Sequence, residues 1–142
     1  MPLWNIYHPV GAYNDEDKQA IASAIVPLYP ILPKFYVGVV FHETLKGSFY
    51  IGGKPVDNFV RISVDHIARQ FPNDEVRRRW LKMCTDALTP YTSGRGLSWE
   101  FHVDETPFQL WRIQGMRPPL PDTEQEKLWI AEDRPVPYAG AA

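Results

Sequence analysis

A proline stands directly behind the initiator methionine, Met1-Pro2, and its placement offers the most specific chemistry in the chain. Methionine is generally removed before so small a residue, which would leave Pro2 carrying a secondary amine at the chain end. An α-amino group titrates nearer neutrality than a lysine does. Apolar surroundings disfavour its charged form and lower its pKa further. Such an amine is partly neutral at pH 7 and can take up a proton as a general base, then return it as an acid. Leu3 opens a strand pattern at once, so the amine is expected to be fixed against the fold and not carried on a loose tail. A chain can also begin Met-Pro without consequence, and at this point that reading stays open.

The other reactive side chains are less specific. The four histidines, His8, His42, His66 and His102, lack metal-ligand spacing and do not argue for zinc. His66 follows a strand pattern and could serve a site or merely cap local backbone. His42 and His102 occupy similar places in two halves of the chain, which makes a structural role natural for at least one. The single Cys84 excludes an intrachain disulfide and lies on an apolar helical stripe, as a small buried hydrophobe would. Arg77-Arg78-Arg79 reads as a solvated helix face, and no aromatic platform accompanies it. Ser93-Gly94-Arg95-Gly96 lacks the strand–helix context of a phosphate loop. Trp111-Arg112 could stack over a ligand or a neighbouring subunit, with ordinary packing as the alternative. A net charge of −2 over 142 residues gives no reason to expect nucleic-acid or membrane partners. No signal sequence and no apolar run of roughly 18–20 residues is visible, so a cytoplasmic protein is expected.

These groups must be held by a scaffold, and the sequence repeats one. Leu3–His8 alternates apolar and polar as a half-buried strand does. Asn14-Asp15-Glu16-Asp17 then opens a helix with a good N-cap and early acids. Ile21, Ile25 and Leu28 continue at helical spacing until Pro27 and Pro30, and Phe35–Glu43 reads as a buried strand. The second half follows the same order: strand Phe59–Val64, helix from Asn73 with Val76, Trp80, Leu81, Cys84 and Leu88 inward, then strand Leu97–Val103. Between the halves, Ser48–Gly53 reads as a short ribbon with a glycine turn. The expected fold is α/β, two consecutive βαβ units forming one sheet with two helices on one face. Residues 1–115 would form this domain. Residues 116–142, proline-rich and aromatic with one helix near Asp122–Ala131, would be an extension packed on the domain or on a neighbouring subunit.

A proline at the head of the first strand of two βαβ units resembles the tautomerase superfamily. The length and the Tyr50-Ile51-Gly52-Gly53 turn resemble its cis-chloroacrylic acid dehalogenase group, and more particularly the fungal oxalocrotonate tautomerase-like proteins. The resemblance covers roughly Pro2 to Gly115. It implies a homotrimer with sites between subunits, no metal or organic cofactor, and a small carboxylate-bearing substrate. It also implies that Pro2 moves protons in ketonising enols, or protonates an unsaturated acid while water adds. Tyr29 falls where the dehalogenases have a histidine. Their pair of carboxylate-binding arginines matches Asp65-His66-Ile67-Ala68-Arg69, so Arg69 stands for one and His66 replaces the other. An ordinary surface ion pair is the alternative for Arg69. Their late-strand tyrosine falls at Phe101 or His102. Their water-activating glutamate falls near Ile113, flanked by Arg112 and Gln114. The expected site is therefore Pro2, His66, Tyr29 and His102 for catalysis, with Arg69 and Arg112 for the carboxylate. Tautomerase is the expected activity; a hydratase or dehalogenase, or a trimeric binding protein without turnover, are the alternatives.

Overall fold

The computed structural model describes residues 1–142. Its first unit runs β1 (Leu3–Pro9), α1 (Asp15–Ile25) and β2 (Gly38–Thr44). A ribbon of β3 (Tyr50–Ile51) and β4 (Lys54–Pro55) follows. The second unit runs β5 (Phe59–His66), α2 (Asp74–Leu88) and β6 (Ser98–Glu105), and α3 (Glu124–Glu132) comes last. The four long strands form one sheet in the order β2-β1-β5-β6. Within each unit the strands are parallel, Leu3 opposite Gly38 and Phe59 opposite Ser98. The units join antiparallel along β1 and β5, with Leu3 opposite Asp65 and Tyr7 opposite Arg61.

Because successive strand residues point to opposite faces, this register sorts the chain in two. Trp4, Ile6, His8, Val60, Ile62, Val64 and His66 are buried on the helix side, against Ile21 and Ile25 of α1 and Trp80, Cys84 and Leu88 of α2. Cys84 is a core residue, and burial pushes its thiol up to about 12. The other face carries Asn5, Tyr7, Arg61, Ser63, Asp65, Glu100, His102 and Asp104, and no helix covers it.

Local chemistry explains the boundaries. Asn14 and Asp17 form a reciprocal capping box, with bonds of 2.8 and 3.1 Å. Asn73 caps α2 by accepting from Val76 N at 2.9 Å. α1 stops at Ile25 because Pro27 has no N–H to continue the ladder, and Val26–Leu28 tightens into a 3-10 turn. The second strand starts at Gly38, not at Phe35 as expected. Pro33 leads into a 3-10 turn over Lys34–Tyr36, which sends the Tyr36 ring into the core. Conversely, β5 runs through His66, so this histidine closes the strand instead of following it. Gly52 and Gly53, at φ 58 and 75, make the two-residue turn of the ribbon, a backbone that other residues adopt with difficulty.

The last helix spans Glu124–Glu132, with Thr123 accepting from Glu126 N at 3.3 Å. Trp129 is fully buried beside Phe35, Tyr36 and Tyr138. Residues beyond 115 thus share the core of the βαβ units. No helix is long and apolar enough to cross a membrane.

Candidate active site

The amino end of the chain lies where β1 meets both its neighbours. Pro2 is buried, and its carbonyl accepts from Gly38 N at 2.9 Å. Gly38 leaves room for this approach: a Cβ there would stand 3.1 Å from the Leu3 side chain and 3.5 Å from that of Met1. Since Leu3 faces Asp65 across the antiparallel pair, Pro2 comes to the level of His66, on the helix side of the sheet. Burial of this corner pushes the Met1 amine down to about 4. That amine belongs to Met1; with Met1 removed it would pass to Pro2, which is itself buried in the same corner.

On the helix side, a cavity of about 300 Å³ brings together three of the expected site residues, Tyr29, His66 and Arg69, with Leu32, Phe71 and Trp80. His66 is 4% exposed, stacked on Phe71 at 4.5 Å between ring centroids, and its Nδ1 has no hydrogen-bond partner. Burial lowers its pKa against a weaker opposing pull from Glu105, so the ring is held neutral. Tyr29 is placed by the 3-10 turn after α1. Its hydroxyl accepts from Trp4 Nε1 at 3.0 Å, and burial raises its pKa despite that bond. Arg69 already holds a carboxylate, the chain's own. Its Nη2 donates to Glu126 at 2.8 Å and its Nη1 to the Ala68 carbonyl at 3.0 Å.

On the other side of the sheet, Met1, Leu3 and Asp65 line a groove of about 580 Å³ with Thr106, Trp111 and Arg112. Arg112 is exposed; its Nη1 donates to the Trp111 and Gln109 carbonyls, and it pairs with no carboxylate. His102 is not brought together with Pro2 in this chain. It faces Ser63 across β5–β6, on the open sheet face, where Arg61 donates to its Nδ1 at 2.9 Å and its Nε2 meets Asp104 at 3.0 Å. The alternation of the strand puts it opposite to His66.

Two residues that sequence reasoning passed over belong to this corner. Glu126 is 3% exposed, with one oxygen on Arg69 and the other accepting from Asp122 N at 2.8 Å. Tyr36 is 1% exposed with an unpartnered hydroxyl, and burial together with the Glu126 charge raises its pKa. Glu126 had only the Thr-x-x-Glu spacing to mark it, which points to a helix start and not to an arginine 57 positions earlier. No group of three or more His, Cys, Asp or Glu side chains is placed to hold a metal ion.

The chain matches, over residues 1–134, the model of a family described as "Putative oxalocrotonate tautomerase enzyme". Among solved structures, native RhCC from Rhodococcus jostii RHA1 is 46% identical, with a TM-score of 0.94 over 96% of this chain and 100% of that one. A protein described as a probable enzyme from the thermophilic fungus Aspergillus fumigatus is 40% identical, with a TM-score of 0.92 over 97% of this chain and 98% of that one. N1, a member of the cis-3-chloroacrylic acid dehalogenase family, shares the fold at 20% identity, with a TM-score of 0.70 over 92% and 91%. No curated protein matches the chain.

Proposed function

The chain belongs to the oxalocrotonate tautomerase family whose model it matches, and from that premise we propose that it is a cofactor-independent tautomerase of small enol and keto carboxylic acids. Pro2, with Met1 removed, is its acid–base group. One observation carries the reading: Pro2 is itself buried where β1 meets β2 and β5, surroundings in which an ammonium is disfavoured. The neutral amine takes the hydroxyl proton of an enol and returns a proton to the carbon two bonds away. The enol becomes a ketone and the amine is restored.

The residues around Pro2 suit the rest of the step. His66, neutral and at the same level of the sheet, polarises the enol oxygen or the carbonyl. Tyr29 fixes the wall behind it through Trp4. Arg112 lines the groove on the other side of the sheet, beside Met1 and Asp65; it is the cation free to meet the carboxylate of a substrate that reaches Pro2 from that groove, where His66 takes no part, and a guanidinium fork suits both oxygens. Arg69 acts on the carboxylate only where Glu126 gives way. His102 joins the site through assembly. We take the uncovered sheet face, with Tyr7 and Val40 exposed on it, as the surface that closes a homotrimer. There, His102 of one copy serves a neighbour's proline.

A second reading, hydration or dehalogenation of 3-haloacrylate-type acids, draws on Asp65. Its carboxylate lines the groove beside Met1 and Arg112, and could activate a water where Ile113 stands in place of a glutamate. Halide release from a 3-haloacrylate that needs both Pro2 and Asp65 would favour it over simple tautomerisation.

The test is intact-mass spectrometry before and after 3-bromopropiolate, joined to ketonisation of a 2-hydroxydienoate. The expected native mass lacks Met1, one adduct maps to Pro2, and Pro2→Ala lowers kcat at least about 100-fold. Retained Met1, or a Pro2→Ala variant as fast as the parent, would sink the tautomerase reading and leave binding without turnover.

A further inference from the structure

The turn that follows Arg112 is built against local preference. Ile113 and Met116 exchange both backbone hydrogen bonds at 2.9 Å, which closes a two-residue hairpin turn with Gln114 and Gly115 at its tip. Gln114 stands at φ 50 and Gly115 at φ 78. Such a turn needs left-handed backbone at both central residues, and Asn, Asp or Gly ordinarily takes the first. The chain's other left-handed positions without glycine are Asp122 and Asp133, a residue type that visits this region more readily. Both serve the fold: Asp133 accepts from Phe35 N at 3.0 Å, and Asp122 N donates to Glu126 at 2.8 Å. A costly conformation that the surroundings enforce is a pointer to function.

The surroundings here are firm. Trp111, 7% exposed, packs on the Tyr36 ring at 4.8 Å, and Arg117 N donates to the Ala141 carbonyl just past the turn. What the tip gains is its place. Gln114 lines the groove of about 580 Å³ with Met1, Asp65 and Arg112. The Pro2 nitrogen is bonded to Met1, so this groove reaches the end of the chain where the amine of the processed protein lies.

Resting on the tautomerase reading, we propose that Gln114 is a substrate-binding residue that holds the C2 oxygen of a keto or enol acid entering by this groove. Carboxylate and C2 oxygen are neighbours in such an acid, and Arg112 and Gln114 stand two residues apart on one rigid turn. The amide serves both tautomers, because its NH2 donates to a ketone and its carbonyl accepts from an enol hydroxyl. It has no proton to give at neutral pH, so proton transfer stays with Pro2. Asparagine would suit the turn better but is one methylene shorter, and the strain is the cost of that reach.

The experiment is NMR titration of the full chain with 2-oxobutanoate and with butanoate, which differ in the C2 oxygen alone. Ketonisation of a 2-hydroxydienoate is followed separately. We expect the keto acid to bind about five-fold more tightly, the range of one hydrogen bond, with the same ratio in Pro2→Ala. Gln114→Met, as long but without the amide, and Gln114→Gly, which relieves the backbone, are both expected to erase that ratio. Gln114→Gly should also melt higher than the parent, and lost binding with a raised Tm separates a site role from a turn role. Equal affinity of the parent for the two acids, or a keto preference kept in either Gln114 variant, would overturn the proposal. A preference that depends on Gln114 in a chain that ketonises nothing would uphold the contact and sink the tautomerase reading instead.

Discussion

Glu126 and Arg69 offer the sharpest quantitative test, because their burial differs while they share one bond. The Glu126 side chain is 4% exposed and that of Arg69 is 21% exposed, with 2.8 Å between them. Removing one partner of a buried pair costs about 3–5 kcal/mol, since the other charge is left uncompensated. In Glu126→Ala the orphan is the guanidinium, which can turn toward water, so the cost falls to about 2 kcal/mol. About 1 kcal/mol more comes from Asp122, whose N–H loses its acceptor. Asp122 also holds a left-handed backbone, φ 62, which that bond helps to fix. Arg69→Met is expected to cost more, about 4 kcal/mol, because Glu126 has no route to water. It should also recover stability as pH falls, since the stranded carboxyl takes up a proton in the fold more readily than in the unfolded chain. The assay is urea unfolding at one fixed protein concentration, with the Arg69→Met/Glu126→Met double variant closing the cycle. Glu126→Ala within about 0.5 kcal/mol of the parent, or a cycle with no coupling, would refute the view that α3 is tied to the site through this pair.

Stability should fall as pH drops below 6.5, the ordinary histidine value. His8 and His66 are both buried with lowered pKa, chiefly by desolvation. Below that pH the unfolded chain binds protons that the fold resists, at up to about 1.4 kcal/mol per pH unit per histidine. The loss ends once the pH passes below the folded values, and His66→Phe should make the slope shallower in pH-dependent melts. Arg112→Ala is expected to raise KM for a carboxylate substrate at least about ten-fold with little change in Tm, as the side chain is exposed and pairs only with carbonyls. An unchanged KM would remove Arg112 from the site.

The repeated pattern carried the architecture because every signal in it was local. Asn14 and Asn73 marked both helix starts by cap chemistry that acts within four residues, and both caps are made. Alternation likewise revealed β1 and β5, whose helix-side residues are almost wholly buried. Where a distant contact decided, the pattern was silent. Phe35 and Tyr36 have strand composition, yet Pro33 turns them out of the sheet and Trp111 and Trp129 receive the Tyr36 ring. The site divides the same way. Tyr29, His66 and Arg69 were placed by resemblance and do line one cavity. That Arg69 would be occupied by Glu126, and that Tyr36 and His66 would each bury an unpaired polar atom, depends on which segments meet in space. No spacing along the chain encodes that.

The tie between Arg69 and α3 also bears on how the molecule is made. A ribosome delivers β1, both βαβ units and the cavity walls well before Glu126 and Trp129 emerge. Until then Arg69 lacks its internal counter-charge, and Phe35 and Tyr36 lack the indole that covers them. A product that stops before α3 is expected to leave this aromatic cluster half covered and to be cut by protease faster than the full chain, as limited digestion of the two would show.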